Sequence, residues 1–277
     1  MTPIDFLAGL HSARRQDFAP LCLKNKPFGY LRRDHIPLLQ ELGFPLKNKN
    51  ALLQWQAPPT VAERSQQLAA INAELLARGV IGGWRDELLA VVSPEEAEPL
   101  ALVERCSAAF WGIRAQGVHL TATSAGKMWL ARRSPSKSTE PNKLDQLAAG
   151  GVAAGMGIRA TLIKEAAEEA GIGAELMRAA RPTGVLSYCQ ASDAGVRRDT
   201  IYNFDVELPP DFQPHNGDGE VAEFLLLDWH EAWERWQEFK ANSLAVLLHW
   251  RLRQGLLDAD DPDYLHYCRL LHSDLWE

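Results

Sequence analysis

The stretch Lys164-Glu-Ala-Ala-Glu-Glu-Ala-Gly-Ile172 sets Glu165, Glu168 and Glu169 at positions i, i+3 and i+4. These positions are neighbours on a helix, so the spacing predicts three carboxylates within an arc of about 100°. Ile163, Ala166, Ala167 and Ala170 cover the opposite arc, the face expected to pack on a sheet. Three like charges on a single arc destabilise a helix unless cations offset them. Hard divalent cations take oxygen ligands, and Mg²⁺ in particular pairs carboxylates with substrate phosphates. A solvated helix face carries the same pattern, with Lys164 ion-paired to Glu168 four residues on. The helix alone leaves both readings open.

Composition narrows the partners. The chain has 277 residues, 46% hydrophobic and 23% charged, the mix of a soluble globular protein with ample core. A formal charge of −7 argues against nucleic acid and anionic membranes as partners. An anionic substrate therefore needs a local basic pocket or bound cations. Cys22, Cys106, Cys189 and Cys268 form no C-x-x-C pair, which argues against a zinc knuckle or a disulfide framework and suits a reducing cytosol. The histidines show no metal-ligand spacing. Asp5 stands where a secretory signal carries positive charge, and no stretch approaches the ~20 apolar residues of a membrane span. The expected location is cytoplasmic.

The elements around the glutamates follow from periodicity and turn residues. In the first ~110 residues the clearest helix is "PPTVAERSQQLAAINAELLARGVIGG", opened by the capping box Thr60/Glu63. "IPLLQELGFP" is a shorter one. From about Trp111 strands take over. "GVHLTAT" and "KMWLARRS" read as a hairpin across "SAG", and "LDQLAAGGVAAG" runs into a glycine-rich turn before the glutamate helix. "TGVLSYCQ", "DTIYNFDVEL" and "EVAEFLLLDW" are further strands, the first two joined by the polar loop "ASDAGVRR". "HEAWERWQEF", "NSLAVLLHWRLRQG" and a tail around "DYLHYCRLLH" read as helices. Strands on both sides of one early helix, with helices at the end, predict an α/β sandwich on a mixed sheet.

In this context the glutamate segment resembles the Nudix hydrolase signature, G-x5-E-x7-R-E-U-x-E-E-x-G-U, where U is bulky and apolar. Gly150, Glu165, Glu168, Glu169, Gly171 and Ile172 fall at matching positions. Met156 replaces the first glutamate, Lys164 the arginine, and Ala166 the first bulky residue. Met156 removes one candidate for proton abstraction. Lys164 keeps the charge of arginine without its bidentate fork and can anchor a neighbouring carboxylate. The resemblance implies a Nudix-type α/β/α sandwich over residues 113–277, preceded by a small α+β domain of unknown role over 1–112. It also implies that Glu165, Glu168 and Glu169 hold Mg²⁺, with Mn²⁺ as a substitute, while Gly150, Lys164 and Gly171 shape the box.

Longer stretches, "ARRSPSKSTEPNKLDQLAAGGVAAGM", "VELPPDFQPHNGDGEV" and "FKANSLAVLL", look like the Nudix subgroup related to thiamine pyrophosphokinase. "AGG-x-x-AGM" is the usual loop of that subgroup, so Met156 is a trait of it. The implied activity is metal-dependent cleavage of small organic diphosphates, above all oxo- and oxythiamine diphosphate, to the monophosphate. A nucleoside or sugar-nucleotide diphosphatase and a non-catalytic Nudix-fold ligand-binding module are the alternatives. Glu220, in "GDGEV", is a candidate further ligand or general base. Arg132 and Arg133, or Arg197 and Arg198, are candidates to clamp phosphate. The oligomeric state stays open, a homodimer included.

Overall fold

The computed structural model describes all residues except 50–51, 94–97, 138, 274 and 277. The chain opens with helix α1 (Pro3–Ala8), fixed by a capping box between Thr2 and Asp5. Strands β1 (Phe18–Leu23) and β2 (Lys26–Arg32) pair antiparallel across Lys24 and Asn25, both at positive φ, as a two-residue hairpin turn requires. After α2 (Ile36–Glu41) come β3 (Leu46–Lys49) and β4 (Leu52–Trp55). These strands form a four-stranded sheet in the order β2-β1-β4-β3, with β1 parallel to β4. Helix α3 (Val61–Ala77) carries the expected Thr60/Glu63 capping box and buries Leu68, Ile71 and Leu75. The antiparallel pair β5 (Leu88–Val91) and β6 (Ala101–Glu104) follows, then α4 (Ala108–Trp111). Sequence periodicity pointed to helices here and missed β1, because five of its six residues are buried and no alternation survives.

The second sheet begins with β7 (Arg114–Ser124) and β8 (Lys127–Arg133), the expected hairpin, turning on Ala125 and Gly126 at positive φ. β7 and β8 pair only between Ala122–Ser124 and Lys127–Trp129 before they separate. The chain from β9 (Leu144–Gln146) to β10 (Ala148–Gly151) fills the gap. It pairs with β8 first and then crosses to β7. Next come α5 (Ile158–Ala170), α6 (Ala174–Arg178), β11 (Arg181–Ser192), β12 (Gly195–Glu207) and β13 (Val221–Leu227). The strand order is β11-β12-β7-β8-β13, with β12 parallel to β7 and the other pairs antiparallel, so the sheet is mixed as expected. Two expectations are corrected. Most of the predicted loop "ASDAGVRR" is strand: Ala191 and Ser192 end β11 and Gly195–Arg198 begin β12, leaving a tight turn at Asp193–Ala194. The predicted helix "HEAWERWQEF" breaks into α7 (Trp229–Glu234) and a 3-10 turn (Trp236–Glu238), because Phe239 extends to bridge Leu144.

Helices α8 (Ala241–Arg253) and α9 (Tyr264–Arg269) complete the chain. Leu162, Ala166 and Ala170 of α5 pack on Val118, Leu120 and Ala122 of one sheet face. Leu244, Leu247 and Leu248 of α8 cover Leu130, Leu144 and Ile201 on the other, which completes an α/β/α sandwich. The two ends of the chain cross between the sheets. Leu7 and Leu10 join the core under α8, whereas Leu275 and Trp276 pack with Phe18 and Tyr30. The Tyr30 hydroxyl donates to the Trp276 carbonyl.

Candidate active site

Helix α5 starts after Gly157 and stops at Gly171, whose φ of 67° is the left-handed C-cap that glycine favours. The loop after β12 seals that end: His215 N–H donates to Ala170 O (3.2 Å) and Gly217 N–H to Glu168 O (2.9 Å). A Cβ on Gly171 would meet the His215 ring at 2.0 Å, so both conformation and space require glycine there.

The faces of α5 differ from the periodic expectation. Thr161, Leu162, Ala166, Glu169 and Ala170 are buried and Ala167 is exposed, so one of the three glutamates lies on the packing face. The split between β7 and β8 is the physical reason. β10 runs beneath α5 there, and the Ala149 N–H donates to Glu169 Oε2 at 2.8 Å. Glu165 lies over Gly150, where a Cβ would stand 2.2 Å from its Cδ. Glu168 is the outermost, its side chain 45% exposed. Lys164 Nζ donates to Glu165 Oε1 (3.1 Å) and to Glu168 Oε2 (2.6 Å), and those bonds hold its amine well above the ordinary range.

The electrostatics of the cleft are short of positive charge. Burial pushes the Glu169 carboxyl up to about 8 against the Ala149 hydrogen bond, and the charges of Asp145, Glu165 and Glu220 add to the rise. Burial also raises Glu165, against the pull of Lys164. Glu220, ahead of β13, is paired with Lys137. Burial pushes its carboxyl up, but Lys137, with Arg133 and Arg85, outweighs that and holds it below the ordinary value. Of the four carboxylates named from sequence, Glu165 and Glu220 lie near enough for their charges to raise Glu169, and Glu168 near enough to raise Glu165. Sequence reasoning missed Asp145, whose signal was an acid inside the apolar run "LDQLAAGG". Asp145 is buried, bound by Lys240 Nζ (2.8 Å), Arg133 (3.3 Å) and the Ser243 hydroxyl, and beside His119. Those partners hold its carboxyl far below the usual range although burial opposes them.

The candidate phosphate arginines are otherwise engaged. Arg132 donates to Glu223, Glu238 and the Asn142 carbonyl, and Arg133 to Asp145 and the Thr139 and Glu140 carbonyls. Arg198 is buried, donating to the Leu275 and Gly112 carbonyls and lying over the Tyr30 ring at 4.6 Å. Arg197 pairs with Asp199 at 3.2 Å. Arg132, Arg133 and Arg198 thus join separate parts of the chain, whereas Arg197 and its partner Asp199 lie on the same strand. Met156 is exposed in the turn before α5.

The donors are carboxylate oxygens, the type a hard divalent cation takes. Glu169 is buried with one neutral hydrogen-bond donor and no cationic side chain bonded to it, and three further carboxylates raise or share its field. Among the described residues, no three His, Cys, Asp or Glu side chains form a group that could hold a metal ion, and Lys164 is the cation of Glu165 and Glu168.

Comparison with known proteins gives the family. Residues 113–250 match the NUDIX domain, and residues 5–115 match a domain of unknown function (DUF4743). Nudix hydrolase 24, chloroplastic, of Arabidopsis thaliana is 30% identical over 93% of this chain and 74% of its own length. Nudix hydrolase 20, chloroplastic, of the same plant is 30% identical over 95% and 75%. A Nudix hydrolase of Deinococcus radiodurans is 30% identical over 53% of this chain and 85% of its own length. The chain belongs to the Nudix hydrolase family, whose members use divalent metals and act on small-molecule diphosphates. Among the described residues no helix is long and apolar enough to cross a membrane.

Proposed function

We propose that this chain is a Mg²⁺-dependent diphosphatase of small organic diphosphates, with oxidised thiamine diphosphates as its substrate class. The observation that carries the reading is the buried Glu169, set with Glu165 against β10, with the charge of Glu220 raising it further. Glu165, Glu168 and Glu169 would hold the cation, and Mn²⁺ suits the same oxygen donors. A bound cation neutralises phosphate oxygens and lowers the pKa of a coordinated water.

This chain's own residues do the rest. Glu220, kept ionised by Lys137, suits a further ligand better than a base, since a base works best with a pKa near the operating pH. One of the helix carboxylates would accept the proton of the attacking water, and Glu168, bonded to Lys164, is the most exposed of them. The water oxygen bonds to the terminal phosphorus, the anhydride P–O bond breaks, and monophosphate and free phosphate leave. Residues 1–112 and 113–277 are read as two units, the first walling the second. The substrate assignment rests on the likeness to the thiamine pyrophosphokinase-related subgroup, and a cytoplasmic location belongs to the same reading. The word "chloroplastic" in two relatives' names describes those proteins.

Purified protein with Mg²⁺ and oxythiamine diphosphate should yield the monophosphate and phosphate, and a panel of nucleoside and sugar-nucleotide diphosphates should be cleaved more slowly. Glu168→Gln should lose activity by at least about 100-fold. Equal rates for wild type and Glu168→Gln sink the catalytic reading and leave a ligand-binding module, a role favoured by the double hold of Lys164 on Glu165 and Glu168.

A further inference from the structure

We propose that Arg105, from the segment preceding the Nudix domain, is a substrate-phosphate ligand at this site. The inference rests on the diphosphatase reading and gives the first region of the chain a share in the cleft. Three contacts carry it. The Arg105 guanidinium lies against Gly151, where a Cβ would stand 3.0 Å from both Cζ and Nη2. Gly150 and Gly151 are adjacent, so β10 admits the Glu165 carboxylate on one side and the Arg105 guanidinium on the other, and the strand ends at that point. The Ala154 N–H of the glycine-rich loop donates to Leu88 O of β5 at 2.7 Å, which fastens the loop to the same wall.

The donors of Arg105 are only partly used. Its backbone N–H donates to Glu87 O, and Nη1 alone binds both Glu87 carboxylate oxygens, at 3.0 and 2.7 Å. Nε and Nη2 have no partner among the described residues, and the side chain is 35% exposed. Glu87 thus orients the guanidinium while one edge, with two parallel donors, stays open. That edge matches a pair of phosphate oxygens. Arg105 adds positive charge near Glu165, and Arg85 does so near Glu220. In a chain of net charge −7, these two arginines supply the local attraction that a diphosphate requires. Exposed Leu88 and Met156 flank the Ala154–Leu88 contact and offer an apolar rim for the organic group. Met156, with no charge to bring to the box, takes that place instead.

The test compares Arg105→Gln, Arg105→Lys, Glu87→Gln and Gly151→Ala with wild type. The measurements are KM and kcat for oxythiamine diphosphate, calorimetric Kd for methylenediphosphonate with Mg²⁺, and the thermal midpoint. Arg105→Gln should raise KM and Kd by roughly tenfold or more and change kcat by less than about threefold. Arg105→Lys should fall between. Gly151→Ala, which displaces the guanidinium and leaves Arg105 in place, should raise KM in the same direction and covers the case in which Arg105→Gln does not fold. Glu87→Gln, which breaks the same ion pair and keeps the guanidinium, should lose less than Arg105→Gln. If Arg105→Gln and Glu87→Gln lower the thermal midpoint alike with KM and Kd at wild-type values, Arg105 only joins two regions and the proposal is overturned. Absence of diphosphonate binding by wild type overturns it as well. Wild type that binds the diphosphonate without cleaving any diphosphate, with binding weakened by Arg105→Gln, upholds Arg105 and overturns the diphosphatase reading.

Discussion

Gly150 is a glycine because the Glu165 carboxyl occupies the space of a side chain, a constraint no propensity scale contains. Gly150→Ala should keep the fold, cost about 1–3 kcal/mol of stability through the forced shift of Glu165, and lose Mg²⁺-dependent activity. Thermal unfolding with and without Mg²⁺ checks this, and an unaltered Mg²⁺ response would sink it. Glu169→Gln tests the buried end of the cleft. Removing a carboxylate that burial disfavours should leave metal-free stability equal or higher and shrink the Mg²⁺-dependent rise in thermal midpoint. A full Mg²⁺ shift in Glu169→Gln would exclude Glu169 as a ligand. The residues of α5 were legible in sequence because i, i+3 and i+4 spacing is local. Asp145 and Arg105 were not, since their surroundings come from β8, α8 and β10, far away in the chain.

Among the elements, the β7–β8 hairpin was legible from its turn, whereas the departure of β9 and β10 from it was not. Nothing in "LDQLAAGG" tells that its first half pairs with one strand and its second half with another. That crossing turns Glu169 inward and reverses the simple picture of one wet and one apolar helix face. On the other side of the sheet, α8 packs on β7, which holds buried His119, and itself carries buried His249. His119 faces Asp145, Lys240 and Arg133, and His249 faces Arg253, Asp205 and His272. Burial drives both down to about 4, so both are neutral in the folded chain at neutral pH. Unfolded histidine titrates near 6.5, so the unfolded chain binds protons that the folded chain refuses between about pH 6.5 and 4. Stability therefore falls as pH drops through that window and the histidine contribution levels off below it. Urea unfolding at pH 7, 5.5 and 4.5 should show a shallower fall in a His119→Asn/His249→Asn double variant. Identical slopes would refute the assignment.

For the molecule as a whole, periodicity supplied two sets of elements in sequence order but not how they interlock. The crossing of both chain ends depends on contacts between residues far apart, such as His11 Nε2 with Leu270 O, 259 positions away. Leu7→Ala, which empties a fully buried position under α8, should lower stability by about 2–5 kcal/mol. Unfolding should stay a single transition in calorimetry and in tryptophan fluorescence, because the two cores share their ends. Two separated transitions, with one unaffected by Leu7→Ala, would show that the crossing carries no coupling. The crossing also bears on birth order. On the ribosome α1 is made long before α8, so Leu7 and Leu10 wait uncovered until the partners that bury them have emerged.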